Sequence, residues 1–213
     1  MNLYLIRHGE SEGNVSGLIQ GCKDFPLSDL GEQQVELVAD YFKDVQLDYL
    51  YSSDLTRAYH TAKAIGALQN RTVHKWEKVR EVYLGPLQGL TRTEIYETFP
   101  VVNETSILTS GIPGTETVQE LTERCQHVID QMLLAHQGDH VGIVSHGGFI
   151  SIFLMYLLTG EKWYTFHRPF QINNTGITHI EWSKRSNKPL IHYTNKTAHL
   201  ESLVNQHSKK GLL

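Results

Sequence analysis

The sequence predicts an α/β fold of three layers, with a mostly parallel central sheet, helices on both faces and an irregular lid or cap insertion. Three observations predict it. Short apolar, β-rich runs alternate with segments whose apolar residues recur at helical spacing, the pattern of a parallel sheet covered on both sides. Two of these runs end on Arg7-His8-Gly9 and on Ser145-His146-Gly147-Gly148, the strand-end position where open α/β sheets gather polar chemistry. The stretch from Glu77 to Pro113, rich in glycine, proline and threonine, breaks the alternation, and long irregular segments in compact domains are often functional lids.

The elements follow in order. Asn2 to Ile6 is apolar and β-rich and reads as a buried strand. A glycine-rich loop runs through Gly21. Pro26-Leu27-Ser28 opens a helix with Ser28 as N-cap, and Val35, Val38, Ala39 and Phe42 share one face of it. Leu47 to Tyr51 is a second strand. Arg57 to Leu68 is a second helix, with Ala58, Ala62 and Ile65 inward. Thr72 to Lys75 reads as a short strand, and one helix near Arg92 to Phe99 interrupts the irregular stretch. Thr117 and Glu120 form a capping-box pattern before a long amphipathic helix carrying Leu121, Cys125, Val128 and Met132. His140 to Ser145 is a strand and Gly148 to Leu158 a mostly apolar helix. Thr175 to Trp182 and Leu190 to Tyr193 are the last strands. No internal repeat or low-complexity tract interrupts the order.

The chain has 213 residues, which predicts one domain over 1–213, with the lid at about 77–116 and a polar, mobile tail at about 195–213 that includes Lys209-Lys210. That length buries a sizeable core unaided. Two cysteines, Cys22 and Cys125, lie far apart, so a reducing, cytoplasmic setting is the simpler expectation. No apolar run is long enough for a transmembrane helix, and no charged-then-apolar leader precedes the first strand. The formal net charge of −4 argues against nucleic acid as partner. It also requires any anionic substrate to find a local cationic pocket. The sequence sets no oligomeric state.

The chemistry sits in a few residues. Arg7 is a permanent cation with a planar donor fork that suits phosphate. His8 can attack phosphorus when its imidazole is neutral. Gly9 lets backbone approach a ligand closely. Taken alone, His8 and His146 each read more readily as hydrogen-bonded structural histidines, Arg57 as a surface helix cation, Glu81 as a solvated carboxylate and Asn14 as a turn residue. In combination they supply what phosphoryl transfer needs: a nucleophile, cations and N–H groups for the equatorial oxygens, and a proton for the leaving oxygen. The rival chemistries lack their patterns. Twelve histidines include no His-Glu-x-x-His, there is no Cys-x-x-Cys, and Gly9 to Gly21 lacks the Gly-Lys-Ser/Thr of a P-loop.

Four pieces in fixed order, LIRHGESEGN (Leu5 to Asn14), SSDLTRAYHTA (Ser52 to Ala62), REVYLG (Arg80 to Gly85) and the Ser145-to-Gly148 strand end, resemble the histidine phosphatase superfamily, also called the phosphoglycerate mutase-like family. The likeness runs from residue 3 to about Thr178 and is nearest the broad-specificity phosphatase branch. It implies that His8 is the nucleophile and carries a transient phosphohistidine, that Arg7 and Arg57 clamp the phosphate oxygens, and that His146 donates to them. It implies Glu81 as acid for the leaving group and then base for water, with Glu77 a nearby competitor. Asn14 adds a neutral donor. Gly147 and Gly148 offer backbone N–H groups at a helix N-terminus. Gln20 and Gly21 complete the expected substrate-binding set. The cations around His8 disfavour its protonated form. No metal and no cofactor are implied, and the expected partner is a small phosphorylated metabolite.

Within the family, cofactor-dependent phosphoglycerate mutases share Gly85-Pro86-Leu87-Gln88-Gly89 with this chain. They usually carry Arg and Tyr where this chain has Val82 and Leu84, and a paired-arginine lid segment where residues 90–116 hold only Arg92. Fewer cations favour a phosphomonoester hydrolase over a mutase, with an inactive binding module as a lesser alternative. Sugar phosphates, phosphoglycerates, phosphoserine and cobalamin-pathway nucleotide phosphates are candidate substrates. Tyr83, Leu84, Ile107, Ile112, Trp163, Tyr164 and Phe166 are expected to form an apolar pocket wall.

Overall fold

The computed structural model describes residues 1–103, 106–166, 169–183 and 188–203. Strands β1 (Asn2–Arg7), β2 (Tyr49–Ser52), β3 (Val73–Lys75), β4 (His140–Ser145), β5 (Ile177–Trp182) and β6 (Pro189–Lys196) form one six-stranded sheet in the order β3-β2-β4-β1-β5-β6. The first four run parallel, and β5 is antiparallel to both β1 and β6. β1 and β4 lie at the centre, in register from Asn2–His140 to Arg7–Ser145. That register sets Arg7 beside Ser145, so His8 and His146 leave the sheet side by side.

Central strands buried on both faces need apolar residues at successive positions, and β1 supplies them. Leu3 and Leu5 pack on one side with Val141, Ile143 and Ile180, under helices α5 (Val118–Ala135) and α6 (Gly147–Thr159) when the helices are numbered along the chain. Tyr4 and Ile6 pack on the other with Val38, Ala39, Phe42, Ala58, Ala62 and Ile65. These come from α2 (Asp29–Tyr41), the turn after it, and α3 (Thr56–Gln69). Two short helices, α1 (Glu12–Val15) and α4 (Arg92–Thr98), complete the six. The expected caps form: the Gly31 N–H donates to Ser28 Oγ, and Thr117 and Glu120 exchange bonds in a capping box at the start of α5. Ser11 with Asn14, and Thr91 with Glu94, make two further boxes.

The segment from Glu77 follows the irregular course its composition predicts and is anchored in the core. Val79, Val82, Leu84, Leu87 and Ile95 are buried in the core beneath α5 and α6. Short 3-10 turns at Glu77–Val79 and Gly85–Leu87 let the chain follow that surface without regular periodicity. The Glu116 N–H donates to the Tyr83 carbonyl at 2.7 Å, and the Tyr83 N–H donates to the Glu116 carboxylate at 3.1 Å. Gly85 holds φ +46, and a Cβ there would lie 2.4 Å from the Gly114 carbonyl oxygen, so this crossing requires glycine. The last strand also runs further than its apolar residues indicate, to Lys196, and Ala198–Leu200 forms one more turn. Asn195 Oδ1 accepts from the Asn173 N–H, which ties the start of the expected mobile tail to the body. Lys209-Lys210 lie outside the described residues. Among the described residues no helix is long and apolar enough to cross a membrane.

Candidate active site

The site forms where β1 and β4 end. Arg7, the last residue of β1, is buried, and its Nη1–H donates to the Ile172 carbonyl at 2.7 Å while its Nε–H has no partner. Burial lowers the Arg7 guanidinium to about 10, against the opposing pull of Glu81. His8 follows. Its Nδ1 lies 2.6 Å from the Gly9 carbonyl, which only accepts, so Nδ1 carries the proton. The Arg57 Nε–H donates to His8 Nε2 at 3.3 Å, so Nε2 presents its lone pair. Burial, then the charges of Arg57 and Arg7, hold the His8 pKa well below the usual histidine range. The result is a neutral imidazole with one defined nitrogen available for attack.

Arg57 reaches this point from the first turn of α3. Of its four Nη hydrogens, one on Nη1 goes to the Lys23 carbonyl and one on Nη2 to that of Gly21, both at 2.9 Å. The glycine-rich loop therefore folds around the guanidinium. Asp24 lies 4.0 Å from it and caps Thr56 through both its backbone N–H and its hydroxyl. Asn14 has its Oδ1 occupied by the Ser11 N–H, the Ser11 hydroxyl and an Asn174 amide N–H, which leaves its own amide N–H pair for the cavity it lines.

His146 is wholly buried, with Nε2 2.8 Å from Ser53 Oγ and with Nδ1 unpartnered. Its ring centroid stands 5.1 Å from that of His8. Burial first, then Arg57, His8, Arg7 and Arg124, lower its pKa well below the usual range. Glu81 lies across the start of α6. Its carboxylate accepts from the N–H groups of Gly148 (3.0 Å), Phe149 (2.8 Å) and Val82 (3.0 Å). The N–H of Gly148, expected to help hold an anion, is thus engaged by Glu81 in the free protein. This is the ordinary preference of a carboxylate for a helix N-terminus.

A narrow cavity of about 30 Å³ opens at this point. Arg7, His8, Asn14, Gln20, Gly21, Arg57, Glu81, Gly147 and Gly148 line it, joined by Leu18, Ile19 and Leu84. Of the expected residues only His146 is not among those lining it. Glu77 points to solvent and pairs with Arg80 at 3.3 Å, outside the cavity.

The expected apolar wall is mostly elsewhere. Leu84 takes part. Trp163 is buried, with its indole N–H donating to Thr122 Oγ1, and Ile112 and Tyr164 line a separate groove beside α5. Tyr83 and Phe166 are exposed, and Ile107 packs on the core edge, none of them at the cavity. Leu18 and Ile19 replace them because the loop before Gly21 pairs with the chain at Leu90 and Thr91. Among the described residues no group of three His, Cys, Asp or Glu side chains is placed to hold a metal ion.

Three supporting residues escape the motif reading. Ser53 and Thr61 lie within the quoted SSDLTRAYHTA string, where spacing alone did not mark them. Thr61 Oγ1 accepts from the Gly9 N–H and donates to the Arg57 carbonyl, coupling the chain after β1 to the first turn of α3. Asn174 arrives from the irregular chain before β5. Its amide donates to the His8 carbonyl at 3.2 Å and to Asn14 Oδ1 at 3.4 Å, so one buried side chain fixes both.

Two histidines at the ends of adjacent parallel strands, with Arg7 beside one and Arg57 reaching in from α3, define the class, an α/β protein whose strand-end site is built around a neutral histidine. Residues 3–195 match the histidine phosphatase superfamily (branch 1), and the chain belongs to that family. It is 30% identical over 208 residues to "Putative phosphoserine phosphatase 2" of Hydrogenobacter thermophilus, covering 95% of this chain and 98% of that one. It is 30% identical over 189 residues to "Probable phosphoglycerate mutase GpmB" of Salmonella choleraesuis, covering 86% of each. The structure of phosphoserine phosphatase from Entamoeba histolytica in complex with 3-phosphoglyceric acid superposes with a TM-score of 0.76 at 30% identity, covering 93% of this chain and 98% of that chain.

Proposed function

We propose that this protein hydrolyses phosphomonoesters of small metabolites through a phosphohistidine on His8. The observation that carries the reading is the protonation pattern of His8: Nδ1–H tied to Gly9, Nε2 unprotonated, and two buried guanidiniums opposing protonation. In the first step a His8 Nε2–P bond forms as the P–O ester bond breaks, and the leaving oxygen takes a proton from the Glu81 carboxyl. In the second, water oxygen attacks phosphorus, the P–N bond breaks, and Glu81 takes the water proton. Arg7, Arg57, His146 and the Asn14 amide face the three phosphate oxygens, whose charge two arginines can balance. Two buried nitrogens, Arg7 Nε and His146 Nδ1, have no protein partner, which suits an incoming anion.

Hydrolysis is favoured over phosphoryl return to product. Arg7 and Arg57 are the only cationic side chains among the residues lining the cavity. Arg80 pairs with Asp54 and Glu77, Arg124 pairs with Glu116, and Arg92 reaches Tyr96 on α4. A mutase must grip a doubly charged, carboxylated intermediate until the phosphoryl group returns. The names of the relatives cover both activities, phosphoserine phosphatase and phosphoglycerate mutase. A phosphometabolite panel with mutase activity assayed alongside tests the proposal. Net phosphate release is expected, and primer-dependent interconversion of phosphoglycerates without release would reject it.

A further inference from the structure

Ser53 directly follows β2, and its backbone is fixed to the neighbouring strand by donation of its N–H to the Val144 carbonyl at 2.9 Å. Its side chain is wholly buried, as is the ring of His146 that it meets at 2.8 Å through Nε2. Either atom in such a contact can carry the proton, and the surroundings decide which does. Ser53 Oγ already accepts from the Leu55 N–H at 3.3 Å. Among the described contacts the hydroxyl proton meets no acceptor other than His146 Nε2. If Nε2 donated instead, a buried hydroxyl proton would stand unpaired, which proteins avoid. The hydroxyl therefore donates to Nε2, and a neutral imidazole then carries its own proton on Nδ1.

That Nδ1 is the buried nitrogen without a protein partner. It belongs to a ring whose centroid is 5.1 Å from that of His8, and Gly147, the next residue, packs against the Arg7 guanidinium. We infer that Ser53 is a positioning residue: its hydroxyl selects the Nδ1–H tautomer of His146 and so makes that ring a donor to a phosphate oxygen. The role in turnover rests on the phosphatase reading above, whereas the tautomer in the free protein does not. With the opposite tautomer a nitrogen lone pair would meet the anion and repel it.

Long-range proton–nitrogen NMR of the histidine rings tests this in the full chain, with inorganic phosphate as the binding probe and p-nitrophenyl phosphate for turnover. Wild type is expected to show His146 protonated on Nδ1 alone. Ser53→Ala, checked for folding by its thermal melt, is expected to show a mixture of both tautomers. Its phosphate affinity is expected to weaken roughly tenfold, the loss of one charge-assisted hydrogen bond. Its kcat is expected to fall about 10²-fold, with a smaller change in KM. Ser53→Thr keeps the hydroxyl and is expected to keep the tautomer and most of kcat. Wild type protonated on Nε2, or Ser53→Ala keeping both the Nδ1–H tautomer and wild-type phosphate affinity, overturns the inference. A wild-type protein with the expected tautomer and phosphate binding, yet no hydrolysis of any ester, rejects the phosphatase reading and leaves the Ser53 assignment standing.

Discussion

A neutral His8 has consequences at the scale of single residues. Its folded-state pKa lies below the usual 6.5, so the attacking nitrogen keeps its lone pair as pH falls through the range where a free histidine protonates. The acid limb of kcat/KM assigned to the nucleophile should therefore lie well below pH 6.5, measured with an aryl phosphate whose departure needs little protonation. The same burial acts on stability with a definite sign. His8 and His146 bind protons in the unfolded chain below about pH 6.5 and resist them in the folded one, so stability falls as pH drops from that value toward their folded-state pKa values. Thermal melts across that range should show Tm declining on acidification, and a His146→Gln variant should show a shallower decline. Glu81 has a different test. Glu81→Gln should slow alkyl phosphates by about 10²-fold and aryl phosphates far less, because only the poorer leaving group requires a full proton. Equal losses on both would move the acid elsewhere.

At the scale of elements, the strands, their succession along the chain and the four long helices were legible because burial imposes simple periods. Alternating faces of β1 and the helical stripe Leu121, Cys125, Val128, Met132 are direct images of what each element touches. The Glu77–Pro113 stretch showed its irregularity but not its anchoring, because its packing has no period: Val79, Val82, Leu84 and Leu87 enter the core one at a time through turns. The aromatic wall failed for a related reason. Apolar character indicates burial but not the side of the molecule, and Trp163 is buried beside Thr122 instead of lining the cavity. Stability should follow these placements. Leu121→Ala, at a fully buried site on α5, is expected to cost about 2–5 kcal/mol in urea unfolding. Thr117→Ala, which removes only the cap of the same helix, should cost about 0.5–2 kcal/mol. A reversed order would show that α5 is held by its end and not by its face.

At the scale of the whole molecule, the site is a product of sheet topology. β1 and β4 are separated by most of the chain yet lie adjacent and parallel, and only that adjacency turns two His-Gly strand ends into one pair of rings. Arg7, His8, Arg57 and His146 could be read as a set because each sits at a strand end or in a helix's first turn. Asn174 could not, since nothing in its spacing records that the chain before β5 returns to His8. The envelope carries a net charge of −4, so the substrate's charge must be met locally by Arg7 and Arg57. Activity is accordingly expected to survive EDTA, and loss on chelation with recovery on adding a divalent ion would contradict that. The central claim is that phosphorus passes through His8. Rapid quench of the protein with a reactive phosphomonoester, followed by mass spectrometry under alkaline conditions, tests it directly. The account predicts a phosphoryl group on His8 that is absent from an inactive His8→Ala protein; full turnover by His8→Ala, or phosphate trapped on any other residue, would contradict it.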